Sequence, residues 1–173
     1  MPAEPEIRLE EETPESCHAF FRQLRQDPLL FADEKDFRPY RYRHAAVEAD
    51  FARRFMQRDR RAYTVFRGER VIGQVQLKHI DPERRSCELS ICLINESVKN
   101  RGYGTRAERL ALRLAFEELG LETVTASVLA KNSRSEHVLQ KLGFRYVSED
   151  ADFRQFVINR ERFAAFSRHE DEI

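Results

Sequence analysis

The 173-residue chain has no tryptophan, two methionines, three cysteines, six glycines and six prolines. Three cysteines cannot form a disulfide framework, and the count is odd. Cys87 and Cys92 lie five apart in a stretch that reads as a strand, which at ~3.3 Å per residue sets them ~16 Å apart and on opposite faces. That is beyond bonding reach, and Cys17 has no partner nearby in sequence, so all three are expected to be small buried thiols. The histidines (His18, His44, His79, His137 and His169) lack the close spacing of helix- or knuckle-borne metal sites, and no metal is expected. Charge of one sign is also missing: 30 basic side chains offset 30 acidic ones, which argues against a general nucleic-acid or membrane-surface binder. No apolar run approaches the ~20 residues that span a bilayer. The start, Met1-Pro2-Ala3-Glu4, is acidic without an apolar core, so no secretory leader is expected and the cytoplasm is the default location.

What is present is a globular composition, 41% hydrophobic and 35% charged, at a length that suits one domain. No internal repeat or low-complexity tract interrupts it. Ile7 to Leu9 reads as a short strand. Thr13-Pro14 reads as an N-cap and first helical position, opening a helix that turns Ala19, Phe20 and Leu24 inward. The stretch from Phe31 to Tyr42 has no clear period and reads as loop. A second helix follows from about Ala45 to Gln57, with Phe51 and Phe55 at i,i+4. From Ala62 the period changes to two, and three strands form an antiparallel meander with a tight turn at Arg67-Gly68-Glu69-Arg70. In the third strand Cys87, Leu89, Ile91 and Leu93 share one face and Glu88, Ser90 and Cys92 the other. The segment Gly104 to Leu119 is a helix whose polar arc is narrow (Arg106, Arg109, Arg113, Glu117), so neighbours should enclose it. Thr123 to Leu129 is a strand, Asn132 or Ser133 caps a further helix stopped by Gly143, and two strands (Phe144 to Val147, Phe153 to Ile158) precede a helical, charged tail. The order β-α-α-β-β-β-α-β-α-β-β predicts an α/β (α+β) sandwich around a mixed, mostly antiparallel sheet of about seven strands.

One stretch carries chemistry. From Leu93 a strand runs into a loop, Lys99-Asn100-Arg101-Gly102-Tyr103-Gly104-Thr105, that opens the enclosed helix. Glycines let backbone N–H groups approach a ligand, and a helix N-terminus adds partial positive charge, which suits a pyrophosphate. Lys99, Arg101 and Arg106 add three cations. The loop lacks the Gly-Lys-Ser/Thr of a Walker loop and the third glycine of a dinucleotide fingerprint.

This loop resembles the coenzyme A pyrophosphate loop, Gln/Arg-x-x-Gly-x-Gly/Ala, of the GNAT acyltransferase superfamily, with Lys99 where Gln or Arg is usual. Asn132-Ser133-Arg134-Ser135 with Lys141-Leu142-Gly143-Phe144 resembles that family's second motif, and Val71 to Val75 and Glu88 to Ile91 resemble the strands before the loop. The match covers roughly residues 62–158 and is closest to the branch that acetylates the N-termini of ribosomal proteins. The resemblance implies one domain over residues 1–173: an acceptor-side part (1–61), a cofactor-binding core (62–158) and a tail (159–173). It implies transfer of an acetyl group from acetyl-CoA, without a metal, to an amine on a small molecule or a protein, in a monomer or homodimer that binds neither nucleic acid nor membrane. Acetyl-CoA would lie in a splay between the strand ending near Leu93 and the strand from Thr123. Lys99, Asn100, Arg101, Gly102, Tyr103, Gly104 and Thr105 would bind its pyrophosphate, Asn132 its pantetheine arm or a nearby phosphate, and Arg134 its ribose phosphate.

Transfer requires a base for the amine and a proton for the leaving thiolate. Glu88 matches the family's frequent glutamate and is the first choice for base, with Glu96 in reserve. Many relatives place a tyrosine four residues before the helix-ending glycine, where this chain has Leu139; Ser135 is the alternative acid, and an unassisted thiolate is the other reading. His137 points about 200° away from Ser135 on the helix. The acceptor is not written in these motifs. Residues 38–61 hold eight arginines against Glu48, Asp50 and Asp59, which is either a rim for an acidic acceptor or a solvated face balanced by Glu4 to Glu15. Phe31, Phe37, Tyr40 and Tyr42 either line the amine pocket or pack the loop. A non-catalytic acyl-CoA sensor on the same fold is the rival reading.

Overall fold

The computed structural model describes residues 5–171, with side chains through Arg168. β1 (Ile7–Glu11) leads into Thr13, whose hydroxyl accepts from the Ser16 N–H while the Ser16 hydroxyl accepts from the Thr13 N–H; this reciprocal cap starts α1 (Pro14–Gln23). Residues 24–43 contain two short 3₁₀ turns, Pro28–Leu30 and Glu34–Asp36, each begun by an aspartate side chain. α2 (His44–Phe55) follows, then β2 (Arg61–Arg67), β3 (Arg70–Asp81) and β4 (Ser86–Leu93). α3 (Tyr103–Arg113) runs on through a wider π turn, Leu114–Glu118, before β5 (Thr123–Leu129), α4 (Ser133–Leu142), β6 (Arg145–Glu149), β7 (Phe153–Asn159) and α5 (Arg160–Asp171). The expected single helix to Leu119 therefore changes pitch near its end, where the Leu119 N–H reaches back five residues to Leu114.

The seven strands form one sheet in the order β1-β2-β3-β4-β5-β7-β6, antiparallel except for β4 beside β5. Period two sorts the two faces. Tyr63, Val65, Val75, Leu77, Leu89, Val124, Phe156 and Ile158 belong to the buried core covered by α3 and its neighbours. The other face of β2–β4 carries Thr64, Gln74, Gln76, Lys78, Glu88 and Ser90 in register. It looks toward α1 and α2: Ser16 of α1 bonds Thr64, and Gln74 donates to Glu12 just before α1. Between these helices Arg54 is buried, with Nη1 2.5 Å from Glu12, Nε 2.7 Å from Asp50 and Nη2 3.4 Å from the Cys17 sulfur.

Two expectations change, and the Phe51–Phe55 pair finds its place. Cys92 is exposed, because β4 ends at the sheet's open margin, while Cys17 and Cys87 are buried and burial pushes both thiols up to about 12. Phe55 is 77% exposed and stacks on Phe51 outside the core, so α2 packs through Val47 and the paired Arg54 instead. The strand expected from Phe144 begins at Arg145, since Phe144 is drawn into the core behind the left-handed Gly143. No helix among the described residues is long and apolar enough to cross a membrane.

Candidate active site

β4 and β5 pair at three positions, Ser86–Thr123, Cys87–Val124 and Glu88–Thr125, and then part. Beyond Glu88, β4 remains bonded to β3 through Leu93, and β5 remains bonded to β7 through Leu129. The facing margins of the two strands are left without a ladder, so the sheet opens as a V with Glu88 at its apex. Gly73 keeps β3 close at the wide end: a Cβ there would lie 2.9 Å from the Cys92 carbonyl oxygen and from Leu93 Cδ2.

At that wide end the backbone is shaped for an anion. Asn95 accepts from the Ser97 N–H at 2.9 Å and opens a short turn; Asn100 (φ 57°) and Gly102 (φ 77°) then take left-handed conformations that aim the chain into α3. No side chain caps α3, and its first backbone bond is Arg106 N–H to the Gly102 carbonyl at 3.1 Å. The N–H groups of Tyr103, Gly104 and Thr105 therefore have no carbonyl one turn back, and they lie at the positive end of the helix dipole. A Cβ on Gly102 would meet nothing within 4 Å, and one on Gly104 would meet Leu93 Cδ1 at 3.8 Å. The space before these amides is open, as a pyrophosphate requires. The Tyr103 ring is buried beneath them, with the Arg67 guanidinium 5.1 Å from its centre.

Charged side chains close the mouth of the V. Glu96 is paired with Lys99 at 2.8 Å and with Arg134, on α4, at 3.2 Å. The hydrogen bonds from Lys99 and then Arg134 hold its carboxyl below the ordinary value despite some desolvation, and the two pairs link the loop to α4. Arg101 donates to the Ser97 carbonyl at 3.1 Å. Asn132 caps α4: its Oδ1 accepts from the Ser135 N–H at 3.2 Å, which fixes the amide so that Nδ2 donates to Ser135 Oγ at 2.9 Å. The serine oxygen thus accepts from the cap, and its own proton is left to donate. Leu139 is packed in the core, one turn further along α4.

Glu88 is on the face toward α1 and α2, 28% exposed, with Lys78 Nζ 3.0 Å from its carboxylate and His79 Nε2 at 3.9 Å. α4 packs against α3 on the other side of the sheet, so Glu88 and Ser135 belong to opposite faces and the V is the passage between them.

The Acetyltransferase (GNAT) domain family matches residues 6–145, most of the chain. The chain belongs to the GNAT family. Over 93 residues it is 32% identical to the spermidine N(1)-acetyltransferase of Escherichia coli (strain K12); these residues are 54% of this chain, and the chain spans about half the length of that relative, 49%. Its fold matches the crystal structure of spermidine N-acetyltransferase from Vibrio cholerae in complex with CoA and spermine, with a TM-score of 0.76 at 17% identity over 91% of this chain and 98% of that one. A dodecameric structure of the Vibrio cholerae protein matches at 0.72 and 17%, over 91% and 95%.

Within this GNAT fold, three groups near the site escaped the sequence reading. Lys78 stands directly opposite Glu88 in the β3–β4 register, and His79 approaches it from the bulge that follows, with φ 52°. Glu108 lies one turn after Gly104 on α3, 5% exposed, and its Oε2 has no hydrogen-bond partner. Burial alone pushes its carboxyl up to about 8. The apolar majority of the α3 wheel masked it.

Proposed function

We propose that the protein is an acetyl-CoA-dependent N-acetyltransferase acting on a small-molecule primary amine. The observation that carries this reading is the V itself, with an open amide cradle at its mouth and a carboxylate at its apex. From Leu93 to Glu88 is five residues of strand, about 16 Å, so an arm entering at Leu93 places its thioester inside the V, between Ser135 toward the mouth and Glu88 at the apex. The N–H groups of Tyr103, Gly104 and Thr105 suit the pyrophosphate, Lys99 and Arg101 its charge, and the unpaired margins of β4 and β5 the amides of the arm. Arg134 serves the ribose phosphate once the anion competes for it with Glu96. Asn132 keeps its cap and acts by holding Ser135.

In the transfer, Glu88 takes a proton from the ammonium, directly or through water, while Lys78 steadies the carboxylate. The freed amine nitrogen bonds to the thioester carbonyl carbon, and the carbon–sulfur bond breaks. Ser135, its oxygen fixed by the Asn132 amide, gives its proton to the departing sulfur and recovers, through water, the second proton that the new amide nitrogen must lose, while the proton on Glu88 passes to solvent. The amine enters from the α1 and α2 face, where Glu88 lies.

The relatives named as spermidine acetyltransferases support a cationic acceptor. So does an open depression of about 580 Å³ at the end of β3, lined by His79 with Asp59, Asp81 and Glu83, whose three carboxylates have the sign a second ammonium needs. The test is a panel of spermidine, a monoamine and N-terminal peptides of ribosomal type with acetyl-CoA, read as free thiol. Faster release with spermidine is expected. Peptide preference would return the acceptor to the ribosomal branch that the motifs resemble, and binding of acetyl-CoA without release for any amine would make the protein a sensor.

A further inference from the structure

His18 stands on α1, and His44 and Glu48 stand on α2 at the i,i+4 spacing that sets two side chains on one helix face. The fold brings one ligand atom of each within 4.8 Å of the others, a meeting of residues too far apart in sequence to read as a metal motif. His18 is buried and gripped at both ring nitrogens: Nε2 is 2.5 Å from Glu48 Oε1, and Nδ1 is 2.9 Å from the Tyr42 hydroxyl. The His44 ring stacks on it, centroids 4.3 Å apart and planes 24° apart. Nε2–H donating to Glu48 with Nδ1 accepting from the Tyr42 hydroxyl satisfies the His18 ring, but that pairing makes no use of His44. A metal ion at Nε2 in place of that proton, with Nδ1–H donating to Tyr42, uses both imidazoles and the carboxylate.

We propose that His18, His44 and Glu48 bind a divalent transition-metal ion, zinc above all, with Tyr42 orienting His18 from behind. Two imidazole nitrogens and one carboxylate oxygen suit zinc, whereas calcium and magnesium take all-oxygen sets. Tetrahedral bonds of ~2.0–2.1 Å hold donors about 3.3 Å apart, so His18 and Glu48 open slightly and His44 closes. Both α2 ligands are exposed, so Glu48 has room to ease back and His44 to leave its stack and turn a nitrogen toward the ion. A water completes the set. His18 precedes and His44 follows the irregular connection 24–43, so the ion would clip together the two ends of a segment that regular structure does not hold, and would set the wall of the acceptor side. None of its residues belongs to the V or the cradle, and the proposal does not depend on acetyl transfer.

The full chain, stripped with chelator, is dialysed against micromolar zinc chloride and its metal content measured. We expect one zinc retained per chain and a melting midpoint raised by several degrees. Both effects should vanish in His44→Ala and in Glu48→Gln, exposed positions whose loss leaves the circular dichroism unchanged. Cobalt in place of zinc should give visible bands without a thiolate charge-transfer band, and Cys92→Ser should bind as the natural chain does. No retained zinc, retention unaffected by His44→Ala with Glu48→Gln, or loss of binding in Cys92→Ser would each overturn the proposal.

Discussion

Around Gly102 the polar groups that shape the structure belong to the backbone, whereas between α1 and α2 they belong to side chains drawn from positions as much as 42 residues apart, as in the Arg54–Glu12 pair. The cradle is made by a left-handed glycine, an uncapped helix start and a strand that loses its neighbour. Its free N–H groups cost little to keep because water satisfies them until an anion arrives. The α1–α2 side is held by a buried ion network instead. Burial raises the carboxyl of Asp50, but hydrogen bonds from Arg54 and Arg53 hold it below its ordinary value, and the same network holds the Arg54 guanidinium charged. Changes in the first region should therefore act on binding, and changes in the second on stability.

The largest effect expected is on binding. Gly104→Glu places a carboxylate where the pyrophosphate would lie, at a position whose φ and neighbours tolerate a Cβ. Titration calorimetry should show no acetyl-CoA binding, with an apo melting midpoint close to that of the natural chain. Unchanged affinity would move the cofactor elsewhere. On the other side, Arg54→Met leaves Glu12 and Asp50 facing an apolar stem and should cost about 3–5 kcal/mol in urea unfolding. A loss under 1 kcal/mol, with folding intact, would show that the network is solvated and erase the contrast. Glu88→Gln should keep acetyl-CoA affinity, lower kcat by ~10²-fold or more and remove the acidic limb of the pH–rate profile. Natural turnover would assign the base to Glu96 or to water. Ser135→Ala should lower kcat by ~10-fold or more with little change in KM for acetyl-CoA; a silent change would mean that the thiolate leaves unaided.

The same contrast explains what the sequence could show. Thr13-Pro14, the Gly68 turn, the Gly102 loop and Gly143 were legible because each is a local backbone device tied to particular residue types. The V was legible in outline, since two motifs one helix and one strand apart fix which strands border it. Arg54 was not: it is one of eight arginines that read alike until tertiary packing selects one to be buried against Glu12. Of that run, Arg54 pairs with the acidic N-terminal segment through Glu12, and it does so in the interior rather than on a solvated face. His18, His44 and Glu48 meet only when α1 and α2 pack, and no spacing rule along the chain reports that. Phe51 and Phe55 show the reverse case, a helical aromatic pair that stacks on the surface.

Glu108 gives the finest test, because it lies one turn behind the cradle yet behaves like the side-chain region. Its carboxyl ionises at about 8 in the folded chain against an ordinary 4.5, so the folded state holds the proton more tightly than the unfolded state does. The sign follows from that. Below the ordinary value both states are protonated and folding carries no penalty. As pH rises from about 4.5 toward 8, the unfolded chain releases its proton first, and stability falls by at most about 1.4 kcal/mol per pH unit. Above that range both states are ionised and the loss levels off. Glu108→Gln keeps the shape and removes the titration, so urea unfolding across this window should lose the downward slope and show a variant more stable than the natural chain at the alkaline end. If the two proteins run parallel across the window, Glu108 has found a partner or water in solution, and α3 carries no buried acid behind its amides.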